Sequence, residues 1–293
     1  MSHKAGFVNI IGNPNVGKST LMNCMVGEKL SIVTPRMQTT RLRIMGIVNS
    51  DDYQIVFSDT PGIIKPRYKM QEAMMKFVHT AFCDADIIIY VTDVVEQRDK
   101  NALYIERLHS SDVPVLLVIN KIDLSNTQSV DALVSQWKQV LPSAEIFAVS
   151  AAGSVNTAAL FDRILSLLPE HEAYFSKDDL SDKSLRFFTA EIIREKIFLQ
   201  YKQEIPYSSE VQVEDFKEAD TLIRIRAVIY VTRESQKAII IGNKGKAIKQ
   251  LGIAARSDIE AFLDRQVHLE LFVKVIDNWK ERDTVLRNFG YLS

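Results

Sequence analysis

The sequence has few cysteines, no long apolar run and no excess of charge of one sign. Cys24 and Cys83 are its two cysteines, far apart and without neighbouring His or Cys, which argues against a disulfide framework or a zinc site. No apolar run approaches the roughly 18 residues that cross a bilayer, so neither a signal peptide nor a transmembrane helix is expected. The formal net charge of -1 gives no overall sign of nucleic-acid binding. These absences predict a cytoplasmic protein.

The composition is that of an ordinary globular protein, with 46% hydrophobic and 25% charged residues in a chain of 293, enough for two domains. In the first half, continuous apolar runs alternate with helical stretches, an order typical of parallel strands buried on both faces. The apolar runs lie at 7–11, 55–58, 87–91, 115–119 and 146–149. This order predicts an α/β domain with a doubly wound, mainly parallel sheet.

A polar, charged stretch follows Pro169, and the elements beyond it come in a different order. They are a helix near 187–202, strands near 211–216 and 221–231, a helix ending at 241, a turn, a helix near 246–264, a strand at 267–275 and a final helix. This order predicts an α+β domain. The predicted organisation is therefore a first domain at 1–172, a linker at 173–184 and a second domain at 185–293.

The segment Gly12-Asn13-Pro14-Asn15-Val16-Gly17-Lys18-Ser19 has the spacing of a phosphate-binding loop between a buried strand and a helical run. We call Gly12–Thr20 the phosphate loop. Its glycines let backbone N–H groups point towards phosphates without side chains in the way. Lys18 is expected to neutralise the β- and γ-phosphates, and Ser19 to bind Mg²⁺.

Asp59-Thr60-Pro61-Gly62 follows a second buried strand. Asp59 is expected to hold Mg²⁺ through water, and the Gly62 N–H to reach the γ-phosphate. The order of the two motifs is the one that a nucleotide-hydrolysing site requires.

Asn120-Lys121-Ile122-Asp123, here called the guanine motif, follows a third buried strand. The Asp123 carboxylate can accept from both N1–H and the 2-amino group of guanine, donors that adenine does not present in that pattern. Ser150-Ala151-Ala152 follows the last strand, where a backbone N–H can meet guanine O6, although this tripeptide is also typical of an ordinary strand-to-helix turn. Together the motifs predict binding of GTP and GDP with Mg²⁺, and hydrolysis of GTP.

With these motifs the sequence resembles the translation-factor-like GTPases and, within them, the Era-type group. The resemblance implies that Thr34–Arg41 form the first switch and that Thr40, or as second choice Thr39, reaches Mg²⁺ in the GTP state. It also implies a second switch from Asp59 to about Tyr68. The residues expected to act in catalysis are Lys18, Thr40, Asp59, Gly62 and Asn15.

The residue after Asp-x-x-Gly departs from the Ras pattern. Ras-like proteins have a glutamine there that orients the attacking water, whereas the side chain of Ile63 forms no hydrogen bond. Resemblance to GTPases with this substitution implies that Asn15 helps to bind K⁺ beside the phosphates, in place of an arginine finger. The alternative is that Asn15 only shapes the loop. Without such help we expect slow turnover, on the order of intrinsic Ras rates.

Gly242-Asn243-Lys244-Gly245, the Gly-x-x-Gly turn, lies between two predicted helices. The bare pattern is weak, but residues 233–256 carry six basic residues and one acidic residue, a net charge of +5. A KH domain clamps a single-stranded RNA backbone with such a turn. The alternative is a solvated helix face. The predicted RNA-binding residues are Ile241, Gly242, Asn243, Lys244, Gly245, Lys246, Lys249 and Arg256.

The element order resembles a type II KH domain, and one G domain followed by one KH domain resembles the Era-type group over essentially the whole chain. A related family has two tandem G domains and a KH-like domain without the turn, a pattern that this chain does not follow. The resemblance implies binding to 16S ribosomal RNA near its 3′ end, assistance in assembly and maturation of the 30S subunit, and control of RNA binding by the GTP state.

Two other functions remain open from the sequence. One is a membrane-associated regulatory GTPase whose second domain binds protein or anionic lipid, with peripheral contact at the inner face of the cell membrane. The other is a small-molecule kinase that uses the phosphate loop, which the guanine motif disfavours. The chain is expected to be a monomer.

Overall fold

The computed structural model describes residues 3–96 and 102–292. The outer limits of the two predicted domains, residues 1 and 293, lie outside the described residues. The chain forms two compact units: unit 1 comprises Met1–Ser31, Thr40–Pro66 and Met74–Asp182, and unit 2 comprises Ile32–Thr39, Arg67–Ala73 and Lys183–Ser293. Among the described residues, none of the helices combines the length and the apolar character that a membrane crossing requires.

Unit 1 contains a six-stranded sheet. Its strands are β1 (Lys4–Gly12), β2 (Ile44–Asn49), β3 (Tyr53–Asp59), β4 (Ile87–Asp93), β5 (Val115–Asn120) and β6 (Glu145–Ala148). The strand order is β2-β3-β1-β4-β5-β6, with β2 antiparallel to β3 and the other neighbours parallel. Every residue of β4 and β5 is buried, as expected of parallel strands covered on both faces. The predicted mainly parallel sheet is confirmed.

Five helices accompany this sheet within residues 3–96 and 102–182. They are α1 (Lys18–Val26), α2 (Lys69–Cys83), α3 (Ala102–His109), α4 (Thr127–Val140) and α5 (Thr157–Leu167). Helix α1 begins within the phosphate loop and ends at Val26, followed by Gly27, whose φ of +82° suits glycine. Helix α4 begins after Asn126, whose side chain accepts a hydrogen bond from the Ser129 N–H.

Strand β2 is missing from the sequence-based prediction, because its apolar run is short and interrupted by Gly46. The predicted linker lies along the edge of this strand. The Ile47 N–H donates to the Leu180 carbonyl over 2.9 Å, and the Met45 N–H donates to Asp182 Oδ1 over 3.0 Å. The predicted linker is therefore hydrogen-bonded to β2 as far as residue 182, and these residues belong to unit 1.

Unit 2 combines a three-stranded sheet with helices. Its elements are α6 (Leu185–Gln200), α7 (Ile205–Ser208), β7 (Glu210–Glu218), β8 (Ile223–Val231), α8 (Glu234–Ile241), α9 (Lys246–Leu263), β9 (Val267–Val275) and α10 (Asp283–Asn288). The sheet order is β7-β8-β9, antiparallel between the first two strands and parallel between the last two. Side chains from α6, β8 and α9 share one core, including Ile193, Ile229 and Leu251. The predicted KH-type α+β arrangement is confirmed.

Candidate nucleotide and RNA sites

Both glycines of the phosphate loop stand where a side chain would collide with neighbouring atoms. A Cβ at Gly12 would lie 2.2 Å from the Val91 carbonyl oxygen, and one at Gly17 would lie 2.2 Å from Asn120 Nδ2. Both have a positive φ, +154° and +94°, which residues with side chains rarely adopt. Asn15 is also left-handed, with φ 68°, a conformation that Asn tolerates better than most residues. The loop is thus held between the end of β4 and the guanine motif.

Lys18 is buried within the phosphate loop, and its ammonium donates to the Asn13 carbonyl over 2.8 Å. Burial lowers the pKa of Lys18 to about 8, an effect that the charges of Asp59 and Glu96 oppose. The side chain therefore remains mainly cationic at neutral pH, in the position where the motif requires a positive charge for phosphates.

Three side-chain oxygens meet beside Lys18. Ser19 Oγ donates to Asp59 Oδ2 over 2.6 Å, Thr40 Oγ1 donates to the same oxygen over 3.1 Å, and the two hydroxyls are 2.9 Å apart. Asp59 is fully buried, and its Oδ1 has no hydrogen-bond partner among the described residues. One carboxylate and two hydroxyls are hard oxygen donors that suit Mg²⁺, which keeps several waters and takes further ligands from a bound phosphate. These residues therefore fit Mg²⁺.

Burial also raises the pKa of Asp59, while Lys18 and the hydroxyls of Ser19, Ser31 and Thr40 oppose the shift. A divalent cation would act in the same direction as Lys18 and stabilise the carboxylate.

The two candidate threonines have different partners. Thr40 is part of the oxygen cluster, whereas Thr39 Oγ1 donates to the Arg36 carbonyl over 2.8 Å and lies 2.6 Å from Thr34 Oγ1. The geometry thus favours Thr40 as the switch threonine.

The start of the predicted second switch lies against the phosphate loop. A Cβ at Gly62 would lie 2.7 Å from the Pro14 nitrogen, so only glycine fits this approach. The Ile63 N–H donates to the Gly12 carbonyl over 3.1 Å, and the Ile63 side chain is buried.

Asn120 joins three segments of the nucleotide site. Its Nδ2 donates to the Val16 carbonyl over 3.0 Å, and its Oδ1 accepts from the N–H groups of Lys121 over 2.8 Å and Ala151 over 3.0 Å. The phosphate loop, the guanine motif and the segment Ser150–Ala152 are therefore held together by one buried amide.

The other residues of the guanine motif complete this arrangement. Lys121 Nζ donates to the Asn15 carbonyl over 2.5 Å, and Asp123 Oδ1 accepts from Ser150 Oγ over 2.5 Å. Asp123 is exposed, so its carboxylate is accessible to a guanine base.

Two acidic residues that were not predicted from the sequence support the phosphate loop. Asp93 Oδ2 lies 2.6 Å from Lys121 Nζ, and Asp93 Oδ1 accepts from the Glu96 N–H over 2.7 Å. Glu96 in turn accepts from the Asn13 side chain. The available signal for Asp93 was its position at the end of the strand that begins with the apolar run 87–91. That strand lies next to β1, which leads into the loop.

In unit 2 the two glycines of the Gly-x-x-Gly turn differ. Gly242 has φ +69°, and a Cβ there would lie 2.6 Å from the Ala247 Cβ, so this glycine is required by packing as well as by conformation. Gly245 has φ +75°, and no atom lies within 4 Å of its Cβ position. Asn243 and Lys244 between them are exposed. The predicted residues Ile241 and Lys246 end α8 and begin α9, respectively.

A cavity of about 360 Å³ lies between α9 and β9. Its lining residues are Ile248, Lys249, Gly252, Ile253, Arg256, Leu269 and Leu271. Lys249 and Arg256 were predicted to bind RNA, whereas the five uncharged residues were missed. The available signal for Ile248 and Gly252 was their helical spacing with Arg256, which puts the three on one face of α9. In the structure Ile253 is 60% exposed, high for an isoleucine.

The comparisons with known proteins cover both units. Residues 7–121 match the family described as 50S ribosome-binding GTPase, and residues 204–280 match the KH domain. The chain is 41% identical to the GTPase Era of Staphylococcus haemolyticus, over 99% of this chain and 98% of the relative.

Two solved structures are similar over almost the whole chain. One is Era in complex with MgGDPNP and nucleotides 1506–1542 of 16S ribosomal RNA, and the other is an Aquifex aeolicus Era variant bound to GDP and AlF4⁻. Each is 37% identical, with a TM-score of 0.93, and covers 99% of this chain and 100% of its own. Because this similarity extends over both units, the chain belongs to the Era family and is a GTPase that converts GTP to GDP and phosphate.

Proposed function

We propose that this GTPase binds 16S ribosomal RNA near its 3′ end, assists assembly and maturation of the 30S subunit, and changes its RNA affinity with the bound nucleotide. The observation that carries the proposal is the basic Gly-x-x-Gly turn followed by the cavity along α9, in a chain that also holds a guanine-nucleotide site. The similar Era structure that contains nucleotides 1506–1542 of 16S ribosomal RNA supports this choice of partner.

The RNA is proposed to be single-stranded where it meets unit 2. The exposed turn leaves Asn243 and Lys244 accessible to phosphates, as in other KH domains. Unstacked bases would then lie along the cavity, against the aliphatic side chains of Ile253 and Leu271. Lys249 and Arg256 add positive charge there, and this part of the affinity should weaken with salt.

The geometry of unit 1 supports the nucleotide roles proposed for its residues. Lys18 is proposed to contact the β- and γ-phosphates, and the Gly62 N–H to contact the γ-phosphate. Ser19, Thr40 and Asp59 would hold Mg²⁺, which supplies neutralisation of the charge that develops on the phosphate oxygens. Asp123 would select guanine, with the Ser150–Ala152 backbone at O6.

Asn15 is proposed to contribute to a K⁺ site beside the phosphates. The reason is that Ile63 is buried and apolar, so the attacking water must be oriented and the charge stabilised by other groups. Hydrolysis should be faster in K⁺ than in Na⁺ at equal ionic strength, and the difference should disappear in Asn15→Ala. Equal rates in the two salts would exclude this role.

Nucleotide control of RNA binding is supported by the chain segments that make up unit 2. The compact unit that carries the Gly-x-x-Gly turn also includes Ile32–Thr39 and Arg67–Ala73, which overlap or directly follow the implied switches. Within it, the Val33 N–H donates to Glu195 Oε1 over 3.2 Å, and Lys69 Nζ pairs with Asp283 Oδ1 at 2.9 Å. A change of the switches with nucleotide is therefore expected to alter this unit.

The test is RNA affinity measured in three nucleotide states. RNA corresponding to nucleotides 1506–1542 and a scrambled RNA of equal length would be titrated with the protein without nucleotide, with GDP and with a non-hydrolysable GTP analogue. We expect preference for the native sequence and a different affinity with GDP and with the analogue. Binding without sequence preference, or binding to anionic vesicles instead of RNA, would contradict the proposal, because a lipid contact has no sequence preference.

We propose that the chain acts in the cytoplasm as a monomer, with any contact at the inner face of the cell membrane being peripheral. Sedimentation with and without RNA, and cell fractionation at low and high salt, measure these properties directly.

A further inference from the structure

We infer that the hydroxyl of Tyr201 is a positioning group for the Gly-x-x-Gly turn, an inference that rests on the proposed RNA-binding function. Tyr201 follows the last residue of α6, and its hydroxyl donates to the carbonyl of Ile240 over 2.8 Å. Ile240 lies two residues before Gly242. The contact therefore joins the C-terminal end of α6 to Ile240, which with Ile241 leads into the turn.

The carbonyl of Ile240 needs a donor. It lies in the last turn of α8, where carbonyls have no partner within the helix. The carbonyl of Ala238 in the same turn accepts from the Gly242 N–H over 2.8 Å. Ile240 itself is completely buried, and the side chain of its neighbour Ile239 is half-exposed. Tyr201 supplies the donor on the buried side of α8, where water has little access.

The phenol is held firmly enough to act in this way. Tyr201 belongs to the same core as Ile197, Ile205 and Ile240, and its side chain is almost fully buried. Burial raises the pKa of the phenol to about 12, so the hydroxyl keeps its proton and remains a donor at any physiological pH.

The geometry of the turn depends on where α8 ends. Gly242 has φ +69° and lies so close to Ala247 that only glycine fits. A shift of the last turn of α8 would therefore move Gly242 relative to α9 and change the direction of the N–H groups that follow. By fixing the Ile240 carbonyl, Tyr201 keeps the turn in one conformation before RNA arrives. A turn that is correctly formed only part of the time binds with proportionally lower affinity.

The test compares two variants that each remove a buried phenol hydroxyl. Tyr201→Phe keeps the ring and loses the bond to Ile240. Tyr291→Phe is the matched control, because the Tyr291 hydroxyl donates over 2.6 Å to Oε2 of Glu210, which begins β7 in the same unit. For each protein we would measure affinity for RNA of nucleotides 1506–1542, hydrogen exchange of the amides at 241–246, thermal stability and GTP hydrolysis.

Tyr201→Phe should bind RNA about tenfold more weakly, since a buried acceptor that loses its partner destabilises the conformation that needs it. Its amides at 241–246 should exchange faster, with hydrolysis unchanged. Tyr291→Phe should lower the melting temperature without either effect.

Native affinity together with native exchange in Tyr201→Phe would overturn the inference. So would equal losses of affinity in both variants, which would indicate a purely structural role. If the wild-type protein does not bind this RNA, the proposed function fails instead, and exchange at 241–246 in Tyr201→Phe still decides whether the hydroxyl orders the turn.

Discussion

The phosphate loop and the Gly-x-x-Gly turn are both glycine-containing turns that lead into a helix, but they are enclosed to different degrees. In the phosphate loop, both glycines lie against neighbouring atoms and Lys18 is buried. In the Gly-x-x-Gly turn, Gly242 is packed, whereas Gly245 faces open space and Lys244 is exposed. One turn is surrounded by the protein, and the other has one free side.

This difference fits the two ligands. A mononucleotide with its metal can be surrounded, so enclosed donors can act on it strongly in a poorly solvated site. An RNA chain continues past its contact on both sides, so its site must stay open, and its charge contacts remain exposed to salt. Substitutions in the phosphate loop should therefore have larger effects than substitutions around the Gly-x-x-Gly turn.

The largest effect is expected from Lys18→Ala, which removes the buried cation. We expect kcat/KM for GTP to fall by about 10²–10³-fold or more, the loss seen when one group that stabilises developing charge is removed. Lys29→Ala, at an exposed lysine, is the control and should hydrolyse GTP normally. Near-native hydrolysis in Lys18→Ala would mean that the loop is not the catalytic phosphate site.

The next effect separates Thr40 from Thr39. Thr40→Ala removes one of the three oxygens that fit Mg²⁺, so half-maximal hydrolysis should require about 10- to 100-fold more Mg²⁺. Thr39→Ala is the matched control and should leave the Mg²⁺ dependence nearly unchanged, because its hydroxyl contacts Thr34 and Arg36 instead. A larger shift in Thr39→Ala would reverse the assignment.

A smaller effect is expected at the open side of the Gly-x-x-Gly turn. Gly245→Asp adds a side chain whose Cβ position has no atom within 4 Å, so unit 2 should fold. Its carboxylate should lower RNA affinity by roughly tenfold or more through repulsion of phosphates. Gly245→Asn has nearly the same shape without the charge, and Asn tolerates the left-handed conformation. Equal loss of RNA binding in both variants would indicate a steric effect rather than a charge effect, and GTP hydrolysis should be native in both.

A similar contrast, between enclosed and exposed strands, explains how much of the fold could be predicted from the sequence. Strands β4 and β5 are covered on both faces, so their apolar residues are continuous and easy to identify. Strand β2 lies at the edge of the sheet, is only partly buried and contains Gly46, which makes a close approach to Val26. Its pairing with β3 and with the segment after Pro169 depends on tertiary contacts that no local pattern reports.

The candidate sites likewise contain features that a short sequence motif predicts and features that depend on distant segments. The phosphate loop and the guanine motif could be predicted because phosphate and guanine chemistry requires particular residues at short spacing. The support that Glu96 gives to Asn13 joins residues 83 positions apart, and the cavity requires β9 beside α9. Such features arise only when distant segments meet, so the sequence predicted the charged residues Lys249 and Arg256 but not the apolar lining between them.

The smallest and most specific effect is expected at Gly252, inside α9. A glycine within a helix is less favourable than alanine by about 0.5–1 kcal/mol, so Gly252→Ala should stabilise unit 2. The new Cβ would lie 3.5 Å from Leu271 Cδ1, an ordinary contact, so no clash offsets this gain. The methyl group would, however, occupy part of the cavity, and RNA affinity should fall several-fold while the melting temperature rises.

A rise in stability together with a loss of RNA affinity in Gly252→Ala would show that the cavity binds RNA and does not only pack α9 against β9. Gln250→Ala, at an exposed position of α9 outside the cavity lining, is the control and should leave RNA affinity unchanged. Thermal melting and RNA titration of both variants at fixed salt measure the two properties. If Gly252→Ala gains stability and keeps native RNA affinity, bases do not enter this part of the cavity, and recognition would depend on the Gly-x-x-Gly turn and its charges, the part of the site most sensitive to salt.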